Sequence, residues 1–205
     1  MTRTITHRAP KNTWAFRGFR WTAALLVALI GAFASLAPGD ARAQTSGPSQ
    51  YDVQAVYLFD FARFVRWPPA AEHEALTICI AGPQVYTDTL TKLVAGEQIE
   101  SRPLAVRSIR SPYEEPGCNI LFIGSAEKLH IDGLLAATVD KPVLTVSDMP
   151  GFLDRGGMVQ FLMIDRRVRF SVDLRPVARS GISLNSELLK VAVNVNGKSI
   201  GGGTP

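Results

Sequence analysis

The sequence predicts a single α/β domain in which helices flank a mixed β-sheet with a parallel core and one antiparallel hairpin. Three observations support this fold class. Short, almost continuously apolar runs are typical of strands that are buried on both faces, as in parallel sheets. Runs with helical periodicity alternate with them, which is the order of βαβ units. Two later runs flank Asp165-Arg166-Arg167, and the second alternates apolar and polar residues, which indicates an antiparallel hairpin with one solvated face.

The first 43 of the 205 residues predict a cleaved signal peptide. Five basic residues precede an apolar run over 21–37, and Ala41-Arg42-Ala43 has the small-x-small form of a cleavage site. This segment holds six of the 22 Lys and Arg residues and one of the 18 acidic residues, so the remaining chain has a formal charge of −1, where the whole has +4. We therefore expect a periplasmic protein with no further membrane span and no nucleic-acid partner.

The remaining elements follow from periodicity and from Gly and Pro punctuation. Residues 44–50 are polar and predict a flexible leader to a domain over 51–194. A first helix is predicted over 51–67, because apolar residues recur on one side of it and Pro68-Pro69 follows. The later predictions are strand 75–81, helix 85–94, strands 104–109 and 119–123, helix 126–137 with Leu129 inward, strand 142–146, hairpin strands 158–164 and 168–174, and helix 183–193 with Ser183 as N-cap and Leu184, Leu188 and Val191 inward. The glycine-rich residues 195–205 predict a disordered tail.

No common catalytic motif is present in the sequence. It contains no nucleophile elbow, phosphate loop or dinucleotide-binding glycine pattern. His73 lies in an acidic loop with no other His or Cys at metal-ligand spacing, and we interpret it as a solvated loop residue. His130 is interpreted as a surface residue of the third helix. We therefore expect no catalytic site, no metal and no cofactor.

Cys79 and Cys118 are the only cysteines, and they fall in two different predicted strands. In an oxidising compartment an even cysteine count favours pairing. If the two strands are neighbours, the Cα atoms can come within the roughly 4.4–6.8 Å that a disulfide requires. A bond that closes about 40 residues would stabilise the fold by about 4 kcal/mol. The alternative is that both are small buried hydrophobic residues that never meet.

Asp60 is an unexpected residue in the first helix. In a helical projection it falls between Val53, Phe64 and Trp67, inside the apolar stripe that also includes Val56, Tyr57 and Phe61. A buried carboxylate is costly unless it is paired or hydrogen-bonded. We expect a backbone amide or a basic side chain to satisfy it. The alternative is that Asp60 lines a pocket and binds a cationic group.

The segment 147–157 follows a predicted buried strand, which is where ligands usually bind in open α/β sheets. Three glycines and a proline shape this loop, and it carries three apolar residues, Met149, Phe152 and Leu153. One interpretation is that Phe152 only fills the core. The other is that the three residues form a partner-binding surface with neighbouring parts of the hairpin and the last helix. The hairpin tip also carries a basic corner, interpreted as solvated: Arg166, Arg167 and Arg169.

Four groups of residues match, in order and spacing, a known family. They are 57–68 (YLFDFARFVRWP), 143–148 (VLTVSD), the glycines and their neighbours in 151–158, and 181–189 (GISLNSELL). With these motifs the sequence resembles the YfiR-like periplasmic proteins over residues 51–193. The resemblance implies a small α/β domain that binds the periplasmic part of an inner-membrane diguanylate cyclase and holds it inactive, and an outer-membrane lipoprotein that sequesters this repressor. It also implies a disulfide between Cys79 and Cys118. Some members carry a second cysteine pair, which is missing from 151–160 in this chain.

We therefore expect a non-enzymatic repressor that acts by binding, within cyclic-di-GMP signalling and biofilm regulation. The first alternative is a periplasmic small-molecule sensor that reports to another membrane signalling protein. A second alternative, an exported hydrolase, would need a nucleophile and a base of which the sequence gives no sign. The identity of the partner, the formation of a homodimer and the binding of a small-molecule ligand stay open.

Overall fold

The computed structural model of the chain describes residues 47–71, 73–111, 114 and 117–196. These residues belong to the unit that begins at Ser46. The predicted signal peptide and residues 197–205 of the predicted tail lie outside the described residues. Within the described residues, no helix has the length and apolar character needed to cross a membrane.

Helices and strands alternate through most of the described chain. The helices are α1 (Gln50–Phe64), α2 (Gln84–Leu93), α3 (Ile131–Thr138), α4 (Leu174–Arg179) and α5 (Ser186–Val191). The strands are β1 (Val65–Arg66), β2 (Leu76–Ala81), β3 (Gln98–Ile99), β4 (Arg102–Ser108), β5 (Ile120–Ile123), β6 (Leu144–Ser147), β7 (Val159–Ile164), β8 (Arg167–Asp173), β9 (Ser183–Leu184) and β10 (Asn194–Asn196). Short 3₁₀ turns cover Pro69–Ala71, Ser125–Glu127 and Leu153–Arg155.

Eight of these strands form one mixed sheet in the order β10-β8-β7-β6-β5-β2-β4-β3. The strands from β7 to β4 in this order are parallel, β7 and β8 form the antiparallel hairpin, and β3 is antiparallel to β4. Strands β1 and β9 form a separate antiparallel ribbon. The predicted fold class is confirmed: this is one α/β domain whose mixed sheet has a parallel core and an antiparallel hairpin.

Two buried clusters cover the two faces of the sheet. Adjacent residues of a strand point to opposite faces. Accordingly, Ile78 and Ile80 of β2 belong to the first cluster, with α1 and α2, while Cys79 and Ala81 belong to the second. The second cluster is completed by α3 and by the loop after β6. Strands β5 and β6 are buried along their whole length, as their apolar runs predict.

The buried face of α1 differs from the predicted stripe. Its buried residues are Gln54, Ala55, Leu58, Phe61 and Ala62, whereas Val56 is 46% exposed. The prediction placed the following residues in one broad stripe, with Leu58 and Val65 at its margin: Val53, Val56, Tyr57, Phe61, Phe64 and Trp67. In the structure Phe61 is buried as predicted, Leu58 lies at the centre of the buried face, and Tyr57 packs on the core from a half-buried position.

The chain from residue 126 onwards contains three further corrections. Helix α3 begins at Ile131, after a 3₁₀ turn, and Leu129 is 93% exposed, so its inward placement is wrong. Ser183 lies in β9, and Asn185 caps α5 by accepting a hydrogen bond from Glu187 N. Leu188 is buried as predicted, but Val191 is exposed.

The C-terminal segment also differs from the prediction. Asn194–Asn196 form β10, which pairs in parallel with Ser171–Asp173 of β8. The first two residues of the predicted tail are therefore part of the sheet. Their backbone groups pair with the edge of β8, and a polar sequence gives no sign of such pairing.

Candidate interaction surface

The loop after β6 is tied to the sheet by its own polar groups. The Ser147 hydroxyl donates to the Ile123 carbonyl oxygen at 2.5 Å and accepts from Met149 N at 3.0 Å. Further along, Phe152 N donates to Gln160 Oε1 at 3.0 Å. These bonds hold the loop against the second face of the sheet.

Met149 and Phe152 are core residues and not surface residues. Both are buried in the second cluster, and Leu153 is half-buried against it. The Phe152 ring lies so close to Gly157 that a Cβ at that position would be 2.2 Å from the ring. Of the two interpretations, the one in which Phe152 fills the core is confirmed, and the assignment of Met149 and Phe152 to a partner-binding surface is wrong. The loop covers a sheet face that α3 alone leaves open, which explains why it carries apolar side chains.

Asp60 lies at the margin of the buried face of α1 and is half-buried. Its full burial is not observed, because the face that α1 buries is centred on Leu58, and Val53 and Phe64 beside Asp60 are themselves only half-buried. Partial burial raises the pKa of the Asp60 carboxyl, and the positive charge of Arg63 acts in the opposite direction. A pocket role for Asp60 stays a prediction.

Cys79 and Cys118 form a disulfide with their Cα atoms 5.7 Å apart, as the sequence predicts. The bond joins the middle of β2 to the segment just before β5, and both residues are buried. A basic residue that sequence reasoning missed lies beside it. Arg107 Nη2 is 3.5 Å from Cys118 Sγ and 3.7 Å from Cys79 Sγ, and it donates to the Glu114 carbonyl oxygen at 2.6 Å. Arg107 is opposite Cys79 in the β2–β4 register, which only the strand pairing reveals.

The two histidines among the described residues, His73 and His130, lie apart from any cluster of ligands. His73 is exposed, and His130 is paired through Nδ1 with Glu127 Oε2 at 2.9 Å on the surface. Among the described residues, no three His, Cys, Asp or Glu side chains are placed to hold one metal ion.

The tip of the β7–β8 hairpin exposes apolar and basic side chains together. Met163, Ile164 and Val193 are 53%, 39% and 53% exposed. Strand β10 pairs with β8 only from Ser171 to Asp173, so in the described residues the part of β8 nearest the turn has no strand on that side. Ile164 and Val193 line one shallow groove together with two arginines of β8. We name this region the hairpin surface: Met163, Ile164, Arg166, Arg167, Arg169 and Val193.

The turn that presents this surface has an unusual backbone. Asp165 and Arg166 have φ angles of 49° and 59°. Positive φ at both central residues is what a type I′ hairpin turn requires, and it matches the twist of the two strands. Asp tolerates this conformation better than Arg does.

Comparison with known proteins gives one family and one related fold. The family model described as YfiR/HmsC-like matches residues 51–193. Among solved structures, the crystal structure of a conserved domain protein from Vibrio cholerae O1 biovar eltor strain N16961 has a TM-score of 0.50 and 10% sequence identity. The similarity covers 72% of this chain and 60% of that chain. At this identity the similarity shows the fold alone.

Proposed function

The chain belongs to the YfiR/HmsC-like family of non-catalytic, periplasmic regulators of cyclic-di-GMP signalling, and from this premise we propose that it represses a membrane-bound diguanylate cyclase. It binds the periplasmic domain of the cyclase and favours the inactive state of that enzyme. An outer-membrane lipoprotein relieves the repression by sequestering the repressor. The observation that carries the proposal is the extent of the family match, which covers 51–193 and thus the chain from α1 to α5.

We place the contact with the cyclase at the hairpin surface. The hairpin belongs to the partner-binding surface that the sequence predicts. Met149 and Phe152, which the sequence also assigns to that surface, are buried and are not part of the hairpin surface. Exposed apolar side chains next to arginines are typical of binding surfaces, where the apolar groups supply affinity and the charges orient the partner. A partner with apolar and acidic residues fits this chemistry.

The first test is genetic. Deletion of the gene should raise cellular cyclic-di-GMP, and expression of the full chain from a plasmid should restore the lower level. In a strain that also lacks the membrane-bound diguanylate cyclases with periplasmic domains, the same deletion should have no effect. A deletion that leaves cyclic-di-GMP unchanged in the parent strain would disprove repression.

The second test concerns the surface. The variant with both Ile164→Asp and Val193→Asp should restore repression poorly and bind the purified cyclase periplasmic domain at least about tenfold more weakly. Leu129→Asp is the matched control. Leu129 is also apolar and is highly exposed, but it is not one of the residues of the hairpin surface. Full repression by the double variant would refute the assignment of the surface while leaving repression itself intact.

A further inference from the structure

A pocket of about 230 Å³ lies at the carboxyl end of β6, between the first turns of α1 and the β7–β8 hairpin. Strand β7 continues past the end of β6 and forms one wall, since only its first two residues pair with β6. The crevice beyond the carboxyl ends of parallel strands is where open α/β sheets usually bind ligands. We name it the Gln54 pocket after the residue that distinguishes it.

Gln54 is buried without a hydrogen-bond partner. It lines the pocket from α1, the residue is 1% exposed, and within the described part of the chain neither Oε1 nor Nε2 has a hydrogen-bond partner. Buried amide groups are almost always hydrogen-bonded in native proteins, and each exception needs a physical explanation, of which a bound water or ion is one. A glutamine on the buried face of a helix that is otherwise Ala, Leu and Phe is not needed for packing.

Two other polar residues that line the pocket, Asp148 and Gln160, are held by hydrogen bonds of their own. Asp148 follows β6, is half-buried, and accepts a hydrogen bond from Ser125 N at 2.7 Å. Gln160 is held by the bond from Phe152 N described above. Of the described residues that line the pocket, Asp148 is the one charged residue, and none is Lys or Arg. Outside the pocket lining, the Tyr86 hydroxyl is also buried and has no partner among the described residues, and burial and the charges of Asp148 and Tyr51 raise its pKa.

We propose that the Gln54 pocket binds a small protonated amine that also carries a hydrogen-bond acceptor. The ammonium group donates to the Asp148 carboxylate and to Gln54 Oε1, and Gln54 Nε2 donates to the acceptor of the ligand. The carbon skeleton packs on the apolar wall formed by Phe161, Leu162 and Val168. An anion does not fit, because in the described lining it would meet the Asp148 carboxylate and no basic side chain.

Asp148→Asn and Gln54→Met separate the contributions to binding. Asp148→Asn removes the charge but keeps an oxygen that accepts from Ser125 N. Gln54→Met keeps the length of the side chain and removes the unpartnered amide. Because a buried polar group without a partner destabilises the free protein, Gln54→Met should leave the melting temperature of the free protein unchanged or raise it. Gln98→Met, on the exposed side of β3, is the control and should alter neither stability nor binding.

The probes are tyramine, histamine and ethanolamine, with 4-ethylphenol as the analogue that lacks the amine and L-tyrosine as the one that adds a carboxylate. Calorimetry and thermal shift on the wild-type chain should show binding of at least one amine with a Kd below about 1 mM. Asp148→Asn should weaken that binding at least about tenfold, and Gln54→Met should abolish the ligand-induced shift. The two tyramine analogues should bind more weakly than tyramine.

Two results would overturn the proposal. If none of the three amines binds the wild-type chain, the pocket holds only water. If Gln54→Met lowers the melting temperature of the free protein by several degrees, the amide has a structural role. Neither measurement involves the cyclase, so failure here is distinct from failure of the proposed repression.

Discussion

Asp173 shows how one buried carboxylate links strand and helix. It is the last residue of β8, it is almost fully buried, and its Oδ1 caps α4 by accepting from Arg175 N at 2.9 Å. Arg175 Nε lies 3.1 Å from both carboxylate oxygens. The side-chain hydrogen bonds from Arg175 lower the pKa of Asp173, and they outweigh burial, which acts in the opposite direction.

We expect this residue to contribute stability that depends on pH. A carboxyl group whose pKa is lowered in the folded state stabilises the fold fully above its ordinary pKa of 3.8, and the contribution is lost as the pH falls through the folded-state value. Asp173→Asn should therefore lower the free energy of unfolding by about 1–3 kcal/mol at pH 7. Urea titrations at pH 7 and at pH 2.5 measure the effect, and the difference between the two proteins should shrink at the lower pH. An equal difference at both pH values would contradict this assignment.

Single residues also mark the limit of what the sequence predicts. The even cysteine count and the apolar strands around Cys79 and Cys118 favour the disulfide, but only the strand order shows that the two strands are neighbours. Gln54 gives no comparable signal, because its burial depends on the rotation of α1, which is set by packing against the sheet. The two interpretations of Phe152 could be separated only by knowing that the second sheet face is incompletely covered by α3.

At the scale of elements, the hairpin turn combines regular strand pairing with a strained residue. The six-residue register from Val159 to Ile164 is unbroken, and the turn is as short as a hairpin permits. Arg166 adopts a left-handed conformation that favours glycine. Asp-Gly is the common sequence for such a turn.

We therefore expect Arg166→Gly to raise the free energy of unfolding by about 1 kcal/mol, because glycine has no Cβ to strain. Arg167→Gly is the matched control. Arg167 is the first residue of β8, where glycine weakens a strand, so this change should lower stability by about 0.5–1 kcal/mol. Urea unfolding of both variants and of the wild type measures the sign of each change in the free energy of unfolding. The same sign for both would show that the turn conformation is not the cause.

Elements differ in how far local sequence determines them. Strands β2, β5 and β6 begin and end within two residues of the predicted positions, because runs of apolar residues bounded by Gly, Pro or Ser indicate buried strands wherever they occur. Helix α4 was not predicted, since its six residues include Pro176 and it depends on the cap from Asp173. Strand β10 has the polar sequence Asn-Val-Asn and exists as a strand through its pairing with β8. Elements of this kind require the rest of the fold.

At the scale of the whole domain, the disulfide connects two neighbouring strands that are far apart in sequence. Cys79 and Cys118 are 39 positions apart, and the enclosed segment contains α2, β3 and β4. Strand β2 pairs with β5 on one side and with β4 on the other. The bond therefore reinforces the junction between β2 and β5, where the end of the sheet made of β2, β4 and β3 joins the other strands.

We expect the double variant Cys79→Ala and Cys118→Ala to fold and to lose about 4 kcal/mol of stability relative to the oxidised wild type. The cause is the larger conformational entropy of the unfolded chain once the loop is no longer closed. Urea unfolding of the oxidised protein, the reduced protein and the double variant measures it, and the last two should agree closely. Equal stability of the oxidised protein and the double variant would contradict a structural role for the bond.

The closed loop has one more effect, on the rim of the sheet that β3 and β4 form. A short edge strand such as β3 separates from its neighbour more readily than the strands inside the sheet do. The backbone groups that this exposes can form hydrogen bonds with another chain. Here the opened strands remain inside a covalent ring whose two ends are fixed in the core. The disulfide limits how far β3 and β4 can move from β2 and how many conformations they can adopt once detached. We therefore expect them to pair with β2 again quickly, which disfavours association with other chains at this edge of the sheet.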